Sequence, residues 1–495
     1  MTTPTDEPET VDVIVLGGGP VGENLAQYAI EDSDLTAAIV EVERYGGECS
    51  YWACIPSKAL LRPAQVATTS AHLQGLVPTD VDREALLARR DEWVSHYDDS
   101  GQAEWVEGAG IRPLRGHGRL VGEREIEVEG EGEGGALRCD EGASKGGTRR
   151  LRARRAVVIA TGSEPVIPPP FREALPWGSR DATGVREVPD RIVIVGGGVV
   201  ACEAATWMAA LGARVTMLVR GPGLLGRMEP FAGEVVTDSL RAKGVDVRLS
   251  TEATECGRPE ARDTGIGRVH GGPVRLTTGS GTIEADEVLV ATGRRPRLGD
   301  VGLDAVGLTE DDVTAGHLPE WLTVVGDAGG GPPLTHWGKY RARVVGARIA
   351  AEADGSPTEP DPDGVPVPQV VFTDPQVASV GMTARAAEEA GHDVVTSEVP
   401  FGGAAGGALL RDDASGRMSI VVDRATGRLL GATFVGTEAG ELLHAATIAI
   451  VGRVPVHLLR HAVPAFPTAS ELWLRLLEQL PRDLRRAQVP DSSPA

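Results

Sequence analysis

Residues 11–22 read Val-Asp-Val-Ile-Val-Leu-Gly-Gly-Gly-Pro-Val-Gly. An apolar run of strand length ends at three consecutive glycines, and the helical pattern of residues 23–30 and a second strand at 36–40 follow. Glycines in such a turn let the backbone approach a pyrophosphate, and the N-terminus of the next helix favours its negative charge. The stretch therefore predicts a βαβ dinucleotide-binding unit near the start of the chain.

Four residues of this unit are candidate cofactor contacts. Gly17, Gly19 and Gly22 occupy the glycine positions of G-x-G-x-x-G, and Glu41 closes the second strand. A carboxylate at the end of that strand accepts hydrogen bonds from ribose hydroxyls. The combination of strand, glycine turn, helix and terminal acid is far more specific than the glycine motif alone.

The same pattern recurs in the middle of the chain. Residues 191–195 form an apolar run, glycines follow, and a helix at 199–211 and a strand at 214–219 are predicted. The positions that fit G-x-G-x-x-[G/A] are Gly196, Gly198 and Ala201. Two such units in one chain indicate two nucleotide-binding domains.

The residue after the second strand of this unit bears on the choice of nicotinamide cofactor. NAD-binding units place an acidic residue there, whereas this chain has Arg220, with Arg227 one loop later. A guanidinium accommodates the 2′-phosphate of NADPH. The sequence therefore predicts NADPH, with NADH less favoured; the alternative is that Arg220 is a solvated surface charge.

A cysteine pair follows the first unit directly. Residues 46–58 read Gly-Gly-Glu-Cys-Ser-Tyr-Trp-Ala-Cys-Ile-Pro-Ser-Lys. Pro56 suits the first turn of a helix, so Cys54 is expected near a helix N-terminus, where the dipole favours a thiolate. Beside a nucleotide site, Cys49 and Cys54 could pass two electrons between a flavin and a disulfide; the alternative is two unrelated buried cysteines.

This segment resembles the pyridine nucleotide-disulfide oxidoreductases, such as dihydrolipoamide dehydrogenase, glutathione reductase and mercuric reductase. Their signature is Gly-Gly-x-Cys-x-x-x-x-Cys-x-Pro-[Ser/Thr]-Lys, which the chain matches from Gly46 and Gly47 onward. The resemblance implies that Cys54 is the charge-transfer thiol beside FAD and that Cys49 faces the substrate. It also implies that Lys58 lies near the flavin ring and pairs with Glu203.

Further segments resemble the FAD domain of this family. Residues 157–162 and 289–294 look like its two Ala-Thr-Gly crossings, and 323–328 looks like the strand whose aspartate holds the ribityl chain. The resemblance adds four cofactor candidates: Thr161, Gly162, Arg294 and Asp327. It also implies that the second nucleotide domain interrupts the FAD domain.

The C-terminal region departs from the family at its catalytic base. The family supplies His-Pro-Thr-x-x-Glu from the partner subunit of a homodimer, whereas this chain reads Phe466-Pro-Thr-Ala-Ser-Glu471. Phenylalanine neither takes nor gives a proton. Three alternatives remain: His461 or Tyr51 supplies the proton, the acceptor needs little acid-base help, or the disulfide chemistry is vestigial. Tyr51 and Trp52 are expected to join Phe466 in an aromatic pocket.

Composition limits the class of protein. The chain has 495 residues and a net charge of −22, which disfavours nucleic acid and anionic membranes as partners. Long apolar runs and the basic and apolar regions of a signal peptide are absent, so a cytoplasmic protein is expected. We expect no bound metal.

The sequence thus predicts an α/β fold: two doubly wound Rossmann-type nucleotide-binding domains plus a C-terminal α+β dimerisation domain. The predicted limits are FAD domain 1–185 and 285–366, NAD(P)H domain 186–284, dimerisation domain 367–482 and tail 483–495. Residues 122–150 are expected to form an exposed loop or long hairpin. The predicted function is electron transfer from NADPH through FAD and the dithiol to a small disulfide or related oxidised sulfur compound. The alternatives are direct reduction of a quinone-like or metal acceptor by the flavin, and a non-catalytic flavin-bound sensor.

Overall fold

The structure is a computed structural model that describes residues 8–130, 147–358 and 364–486. Its strands, in chain order, are β1 (Glu9–Leu16), β2 (Ala37–Glu41), β3 (Arg112–Arg115), β4 (His117–Gly122), β5 (Glu125–Glu129), β6 (Thr148–Ile159), β7 (Ser163–Pro165), β8 (Arg191–Val195), β9 (Arg214–Leu218), β10 (Asp246–Arg248), β11 (Ala253–Gly257), β12 (Val274–Thr278), β13 (Gly281–Ala285), β14 (Glu287–Val290), β15 (Arg294–Pro296), β16 (Leu322–Val324), β17 (Gln369–Val371), β18 (Gln376–Gly381), β19 (Val394–Pro400), β20 (Arg417–Asp423) and β21 (Arg428–Gly436).

The α-helices are α1 (Pro20–Ile30), α2 (Gly47–Tyr51), α3 (Cys54–Ala71), α4 (Arg83–Trp93), α5 (Ser100–Gly108), α6 (Ser179–Thr183), α7 (Val199–Ala210), α8 (Pro230–Ala242), α9 (Glu310–Ala315), α10 (Thr335–Asp354), α11 (Ala384–Glu389), α12 (Ala405–Ala408), α13 (Ala439–Val451), α14 (Val456–Leu459) and α15 (Glu471–Gln479). Short 3-10 turns lie at Ser95–Tyr97, Pro169–Ala174, Leu303–Val306, Gly326–Gly329 and Phe401–Gly403.

The chain forms two compact units. The first comprises Met1–Pro56, Asp91–Val166 and Gly293–Asp363, and the second comprises Ser57–Arg90, Ile167–Thr292 and Gly364–Ala495. The limits predicted for the three domains and the tail stay a prediction.

A seven-stranded sheet forms the centre of the first unit. Its strand order is β3-β2-β1-β6-β5-β4, and β16 pairs with β6. The long β6 runs antiparallel to β5 at its start and parallel to β1 and β16 further on. The segment 122–150 therefore contains the base of a hairpin, formed by β5 and β6, while residues 131–146 lie outside the described residues.

Both faces of this sheet are covered, which explains the apolar run that opens the chain. Val13 and Val15 pack with α1 and α10 on one face, whereas Ile14 and Leu16 belong to a separate cluster that includes Trp321. Successive side chains of a strand point to opposite faces, so a strand covered on both faces reads as continuously apolar.

The α1 and α10 helices approach each other closely. A Cβ atom on Gly338 of α10 would lie 2.5 Å from Cγ2 of Val21, the second residue of α1. Only glycine fits at this contact without displacing its neighbour. The first turns of the two helices, with the side chains they carry, are therefore held together.

Three sheets form the second unit. A parallel sheet has the order β10-β9-β8-β14, a small antiparallel sheet has the order β11-β12-β13, and a five-stranded antiparallel sheet has the order β17-β18-β21-β20-β19. The α7 helix follows β8 as predicted, and β20 and β21 form the predicted hairpin, with Asp423 opposite Arg428. None of the helices in the described part of the chain combines the length and apolar character that a membrane span requires.

Candidate functional site

The glycine turn of the first unit leaves no room for side chains. Gly17 has a φ of +108°, and a Cβ there would lie 2.4 Å from the carbonyl oxygen of Ala160. A Cβ on Gly22 would lie 2.0 Å from the carbonyl oxygen of Gly17. Gly19 is the N-cap of α1 and has no side chain to occupy the space above the first turn. The backbone N–H groups of this turn thus line an open cradle of the kind that accepts an anion.

Glu41 ends β2 beside this cradle. Its carboxylate accepts the backbone N–H groups of Gly18 at 2.7 Å and of Glu43 at 2.6 Å, and only 8% of the residue is exposed. Burial raises the pKa of this carboxyl above its usual value. The carboxylate thus lies at the glycine turn, as expected of a group that accepts ribose hydroxyls.

Gly47 brings the cysteine segment up to the same cradle. Its φ is +55°, and a Cβ there would lie 2.7 Å from the Cα atom of Gly19. The α2 helix starts at Gly47 and carries Cys49. A side chain at residue 47 would therefore fill the space that the glycine turn leaves open.

One hydrogen-bonded chain joins two of the remaining flavin candidates of the first unit, Arg294 and Asp327. Ser163 donates to Asp327 at 2.6 Å, and the Nε of Arg294 donates to the Ser163 hydroxyl at 2.8 Å. The Arg294 guanidinium also forms an ion pair with Glu48 at 3.5 Å. Ser163 and Glu48 were not predicted from the sequence. Thr161 instead donates to the carbonyl of Arg297, and Gly162 has a φ of +75°.

Neither Cys49 nor Cys54 forms a disulfide in the structure, and the two thiols lie close enough to interact. Cys54 opens α3, as predicted, and its Sγ lies 3.3 Å from Oγ1 of Thr335, the first residue of α10. The hydrogen bond with Cys54, followed by burial, raises the pKa of the Cys49 thiol, and the Lys339 ammonium opposes this shift. Two thiols that interact in this way can close to a disulfide by giving up two electrons and two protons.

The aromatic residues between the cysteines are core residues of the first unit. Tyr51 and Trp52 are each 5% exposed and cluster with Val94, and the Trp52 ring stacks on Tyr97 at 4.6 Å between centroids. Burial raises the pKa of Tyr51 to about 12. The expected aromatic pocket and the alternative of Tyr51 as proton source are thus disfavoured, because both side chains are already packed.

Lys58 and Glu203 form the predicted pair in the second unit. Lys58 Nζ lies 2.9 Å from Oε2 of Glu203, whose side chain is 5% exposed. The backbone N–H of Phe372 donates to Oε1 of Glu203 at 2.9 Å, and the Phe372 ring lies 4.7 Å from Lys58 Nζ. Gln65 fixes Phe372 in turn by donating to its carbonyl at 3.0 Å. Phe372 and Gln65 are partners that the sequence did not reveal.

The second glycine turn repeats the geometry of the first. Gly196 has a φ of +134°, and a Cβ there would lie 2.4 Å from the carbonyl oxygen of Ala291. Gly198 is the N-cap of α7 with open space around it, and Ala201 is fully buried in the same helix. Arg220 and Arg227 are both exposed in the loop after β9, where a ligand phosphate could reach them.

The segment that carries Phe466 is largely exposed. Phe466 is 76% exposed, and His461 is exposed as well. Glu471 opens α15, and its Oε2 atom is buried without a hydrogen-bond partner among the described residues. In the family pattern, this glutamate would orient a histidine at residue 466. Residue 466 is phenylalanine in this chain, so Glu471 has no imidazole to orient.

Both units also contain residues near the candidates that no local motif predicts. They are Glu23, Ser163, Thr335 and Lys339 in the first unit and Phe372 in the second. Each lies on a segment distant in sequence from the candidate residues near it, so no local motif contains both. The one hint in the sequence was Glu23, a polar residue within an otherwise apolar helical pattern.

The chain matches known proteins over most of its length. The model of the pyridine nucleotide-disulphide oxidoreductase family matches residues 11–315, and the model of its dimerisation domain matches residues 367–476. The chain is 32% identical to a mercuric reductase of Shigella flexneri over 93% of its own length and 79% of that protein. It is also 32% identical to a dihydrolipoyl dehydrogenase of Thermus scotoductus, covering 95% of this chain and 98% of the relative.

Solved structures share the fold. The HOCl-induced flavoprotein disulfide reductase RclA from Escherichia coli superposes with a TM-score of 0.77 at 22% identity, covering 95% of this chain and all of that one. LpdA from Mycobacterium tuberculosis gives a TM-score of 0.76 at 23% identity, with 95% and 99% of the two chains covered.

The family uses FAD together with a pyridine nucleotide, and the matched C-terminal domain is the one through which its members form homodimers. Together with the two glycine turns and the dithiol, the matches identify the chain as an enzyme of the pyridine nucleotide-disulphide oxidoreductase family.

Proposed function

We propose that this enzyme passes electrons from NADPH through FAD and the Cys49–Cys54 dithiol to a small disulfide or a related oxidised sulfur compound. The observation that carries the proposal is the dithiol itself: two interacting thiols, one on α2 and one at the start of α3. Such a pair gives up two electrons and two protons when it closes to a disulfide. We further propose a cytoplasmic homodimer, because reducing compartments keep such pairs cycling.

The first unit fits FAD. Gly17, Gly19 and Gly22 would hold the pyrophosphate, Glu41 would accept the ribose hydroxyls, and Asp327 would hold the ribityl chain. When bound, FAD supplies two-electron transfer between a nicotinamide and sulfur. The cradle supports this assignment because side chains at residues 17, 22 and 47 would all clash with neighbouring backbone.

The two thiols have different tasks in the proposed reaction. Cys49 attacks one sulfur of the substrate disulfide, which releases the first thiol and leaves a mixed disulfide on Cys49. Cys54 then attacks the Cys49 sulfur, which releases the second thiol and closes the Cys49–Cys54 disulfide. The substrate gains two electrons and two protons, and the enzyme dithiol loses both.

NADPH is the proposed electron donor because Arg220 and Arg227 are exposed beyond β9 and no acidic residue ends that strand. Arg220→Ala should raise the KM for NADPH at least tenfold and leave the KM for NADH within twofold. Arg214→Ala, at the exposed start of β9, is the matched control. Equal effects of Arg220→Ala on both cofactors would show that this guanidinium does not bind the 2′-phosphate.

A second candidate function is direct reduction of a quinone-like or metal acceptor by the flavin. It is favoured by Phe466, which stands where the family pattern has its catalytic histidine, and by Glu471, whose Oε2 atom is buried without a hydrogen-bond partner among the described residues. Loss of general acid-base help typically costs about 10²–10⁴ in rate. The mercuric reductase relative reduces a metal ion by its name, but the present chain has no cysteine after Cys256 to bind mercury near its C-terminus.

Cysteine variants separate the two functions. NADPH oxidation is followed with a panel of small disulfides, quinones and metal ions for Cys49→Ser, Cys54→Ser and the control Cys256→Ser, whose half-buried thiol lies on β11. The proposal requires that both site variants lose disulfide reduction at least a hundredfold while the control retains it. If both variants keep full activity with the best acceptor, electrons leave from the flavin directly and the second candidate is correct.

A further inference from the structure

A cavity of about 310 Å³ lies in the second unit, between the segment 167–176 and the loop 258–273 that joins β11 to β12. Sites for small organic molecules in proteins have volumes of about 300–1,000 Å³, so this cavity suits a ligand at the small end of that class. Its lining consists of three polar and three apolar residues: Arg172, Asp263, His270, Ile167, Leu175 and Pro176.

The loop 258–273 is fixed by hydrogen bonds from the segment that follows the cavity wall. Asp181 accepts the backbone N–H of Gly267 at 3.1 Å. The indole Nε1 of Trp177 donates to the carbonyl of Arg268 at 2.8 Å. The loop is therefore held in place before any ligand arrives, which lowers the entropy cost of binding.

His270 is the buried polar residue of the cavity, and only 8% of it is exposed. Its backbone N–H donates at 2.9 Å to Oε2 of Glu287, which forms a fully buried ion pair with Arg258. Both ring nitrogens of His270 are buried without a hydrogen-bond partner among the described residues. Buried polar atoms are nearly always hydrogen-bonded in folded proteins. The imidazole thus requires a partner that the described part of the chain does not supply.

Two charged side chains of opposite sign share the cavity with this imidazole. Arg172 donates through Nε to the carbonyl of Ile167 at 3.3 Å, and its Nη groups bind nothing else in the described part of the chain. Asp263 accepts the backbone N–H of Gly265 through Oδ1 at 2.8 Å, which leaves Oδ2 for a ligand. Neither side chain forms an ion pair with another described residue. The cavity therefore offers a guanidinium and a carboxylate that a ligand can use.

These two charges define the ligand that the cavity would accept. A simple anion would be repelled by Asp263, and a simple cation would be repelled by Arg172. A zwitterion avoids both repulsions, because its carboxylate would pair with Arg172 and its ammonium with Asp263. An aliphatic side chain of the ligand would lie against Ile167, Leu175 and Pro176.

We propose that this cavity binds a free amino acid with an aliphatic side chain, in its zwitterionic form. Arg172 binds the carboxylate, Asp263 binds the ammonium group, and an imidazole N–H of His270 donates to the carboxylate. The cavity shares no residue with the dithiol or with either glycine turn. The proposal therefore stands or falls independently of the proposed disulfide reduction.

Calorimetric titration of the FAD-loaded, full-length protein with L-leucine tests the ligand class. Three analogues each lack one group of leucine: isocaproic acid lacks the ammonium, isoamylamine lacks the carboxylate, and glycine lacks the aliphatic side chain. Leucine should bind at millimolar concentrations or below. Each analogue should bind at least about tenfold more weakly, because it leaves a charged or apolar part of the cavity without its partner.

Two variants test the charged residues. Arg172→Met and Asp263→Asn should each raise the Kd for leucine at least about tenfold. Asparagine at residue 263 keeps an acceptor for the Gly265 N–H, so the loop should retain its shape. Arg262→Met is the matched control, because Arg262 is exposed on the same loop but does not line the cavity, and it should leave the Kd unchanged.

His270→Phe separates a ligand-binding histidine from a structural one. Phenylalanine keeps a ring of similar size and the backbone contact with Glu287, but it removes both ring nitrogens. The variant should bind leucine about tenfold more weakly, while its unfolding temperature without leucine should equal or exceed that of the wild type, because two buried polar atoms without partners are gone. A histidine with a structural role would instead lower the unfolding temperature when replaced.

The proposal is overturned if leucine gives no saturable heat, or if isocaproic acid or isoamylamine binds as tightly as leucine. It is also overturned if Arg172→Met and Asp263→Asn bind leucine like the wild type, or if His270→Phe unfolds at a lower temperature. The analogue series uses only the wild-type protein, so it decides the question even if a variant fails to fold.

Discussion

Replacing Glu203 by alanine should weaken the structure locally, and the effect follows from what each carboxylate oxygen contacts. Oε1 accepts the backbone N–H of Phe372 at 2.9 Å, and Oε2 pairs with Lys58 at 2.9 Å. Glu203→Ala removes both acceptors. Glu203→Gln keeps an acceptor for the Phe372 N–H and nearly the same volume, but removes the charge.

The two losses differ in size. A partly buried N–H left without an acceptor costs about 1–2 kcal/mol. The Lys58 side chain is 35% exposed, so water replaces part of the ion pair, and its loss costs about 0.5–1 kcal/mol. The Phe372 ring, 4.7 Å from Lys58 Nζ, continues to hold the ammonium. The sum for Glu203→Ala is about 2 kcal/mol, against less than about 1 kcal/mol for Glu203→Gln.

Amide hydrogen exchange at Phe372 measures this difference directly, because local opening governs exchange. A loss of about 2 kcal/mol corresponds to about 30-fold faster exchange in Glu203→Ala, against about fivefold or less in Glu203→Gln. The exchange is measured on the FAD-loaded protein with single-residue resolution. If the two variants exchange equally fast, the charge of Glu203 matters more than its hydrogen bond to Phe372, and the reasoning is wrong.

Three further predictions concern the flavin cradle, the buried acid and the missing histidine. Gly17→Ala should yield protein with less than about a tenth of the wild-type FAD absorbance, because its Cβ would lie 2.4 Å from Ala160 O, whereas Gly101→Ala, with nothing within 4 Å, should stay yellow. The pKa of Glu23 is about 7 in the folded protein against an ordinary 4.5, so the folded state binds this proton more tightly than the unfolded state. The free energy of unfolding of the wild type should therefore fall by about 3 kcal/mol as the pH rises from 4.5 through 7. Glu23→Gln should lack this pH dependence in urea unfolding measured at pH 5, 6, 7 and 8. Phe466→His, with Glu471 intact, should raise turnover of glutathione disulfide or lipoamide at least tenfold in steady-state assays; a wild type that already turns these substrates over at about 10 per second would show that Phe466 is no handicap.

Local sequence determined the parts of this protein whose physics is local. A tight turn between a strand and a helix needs glycine wherever a Cβ would strike backbone, as it would at residues 17, 22 and 196. Strands covered on both faces must be apolar throughout, so β1 and β8 could be predicted within about two residues of their observed limits. The motif that contains Cys49 and Cys54 likewise fixed the start of α3 at Cys54.

Tertiary structure alone decided which polar groups surround the dithiol. Thr335 lies about 280 residues from Cys54 along the chain, and the two meet only in the folded unit, where α10 packs against α1 through Gly338. Tyr51 and Trp52 looked available for a substrate pocket because sequence does not reveal that Val94 and Tyr97 cover them. Hydrophobic periodicity specifies which face of a helix is buried, whereas the identity of the residue it meets depends on how the elements pack. The acid-base surroundings of the two thiols therefore follow from helix packing.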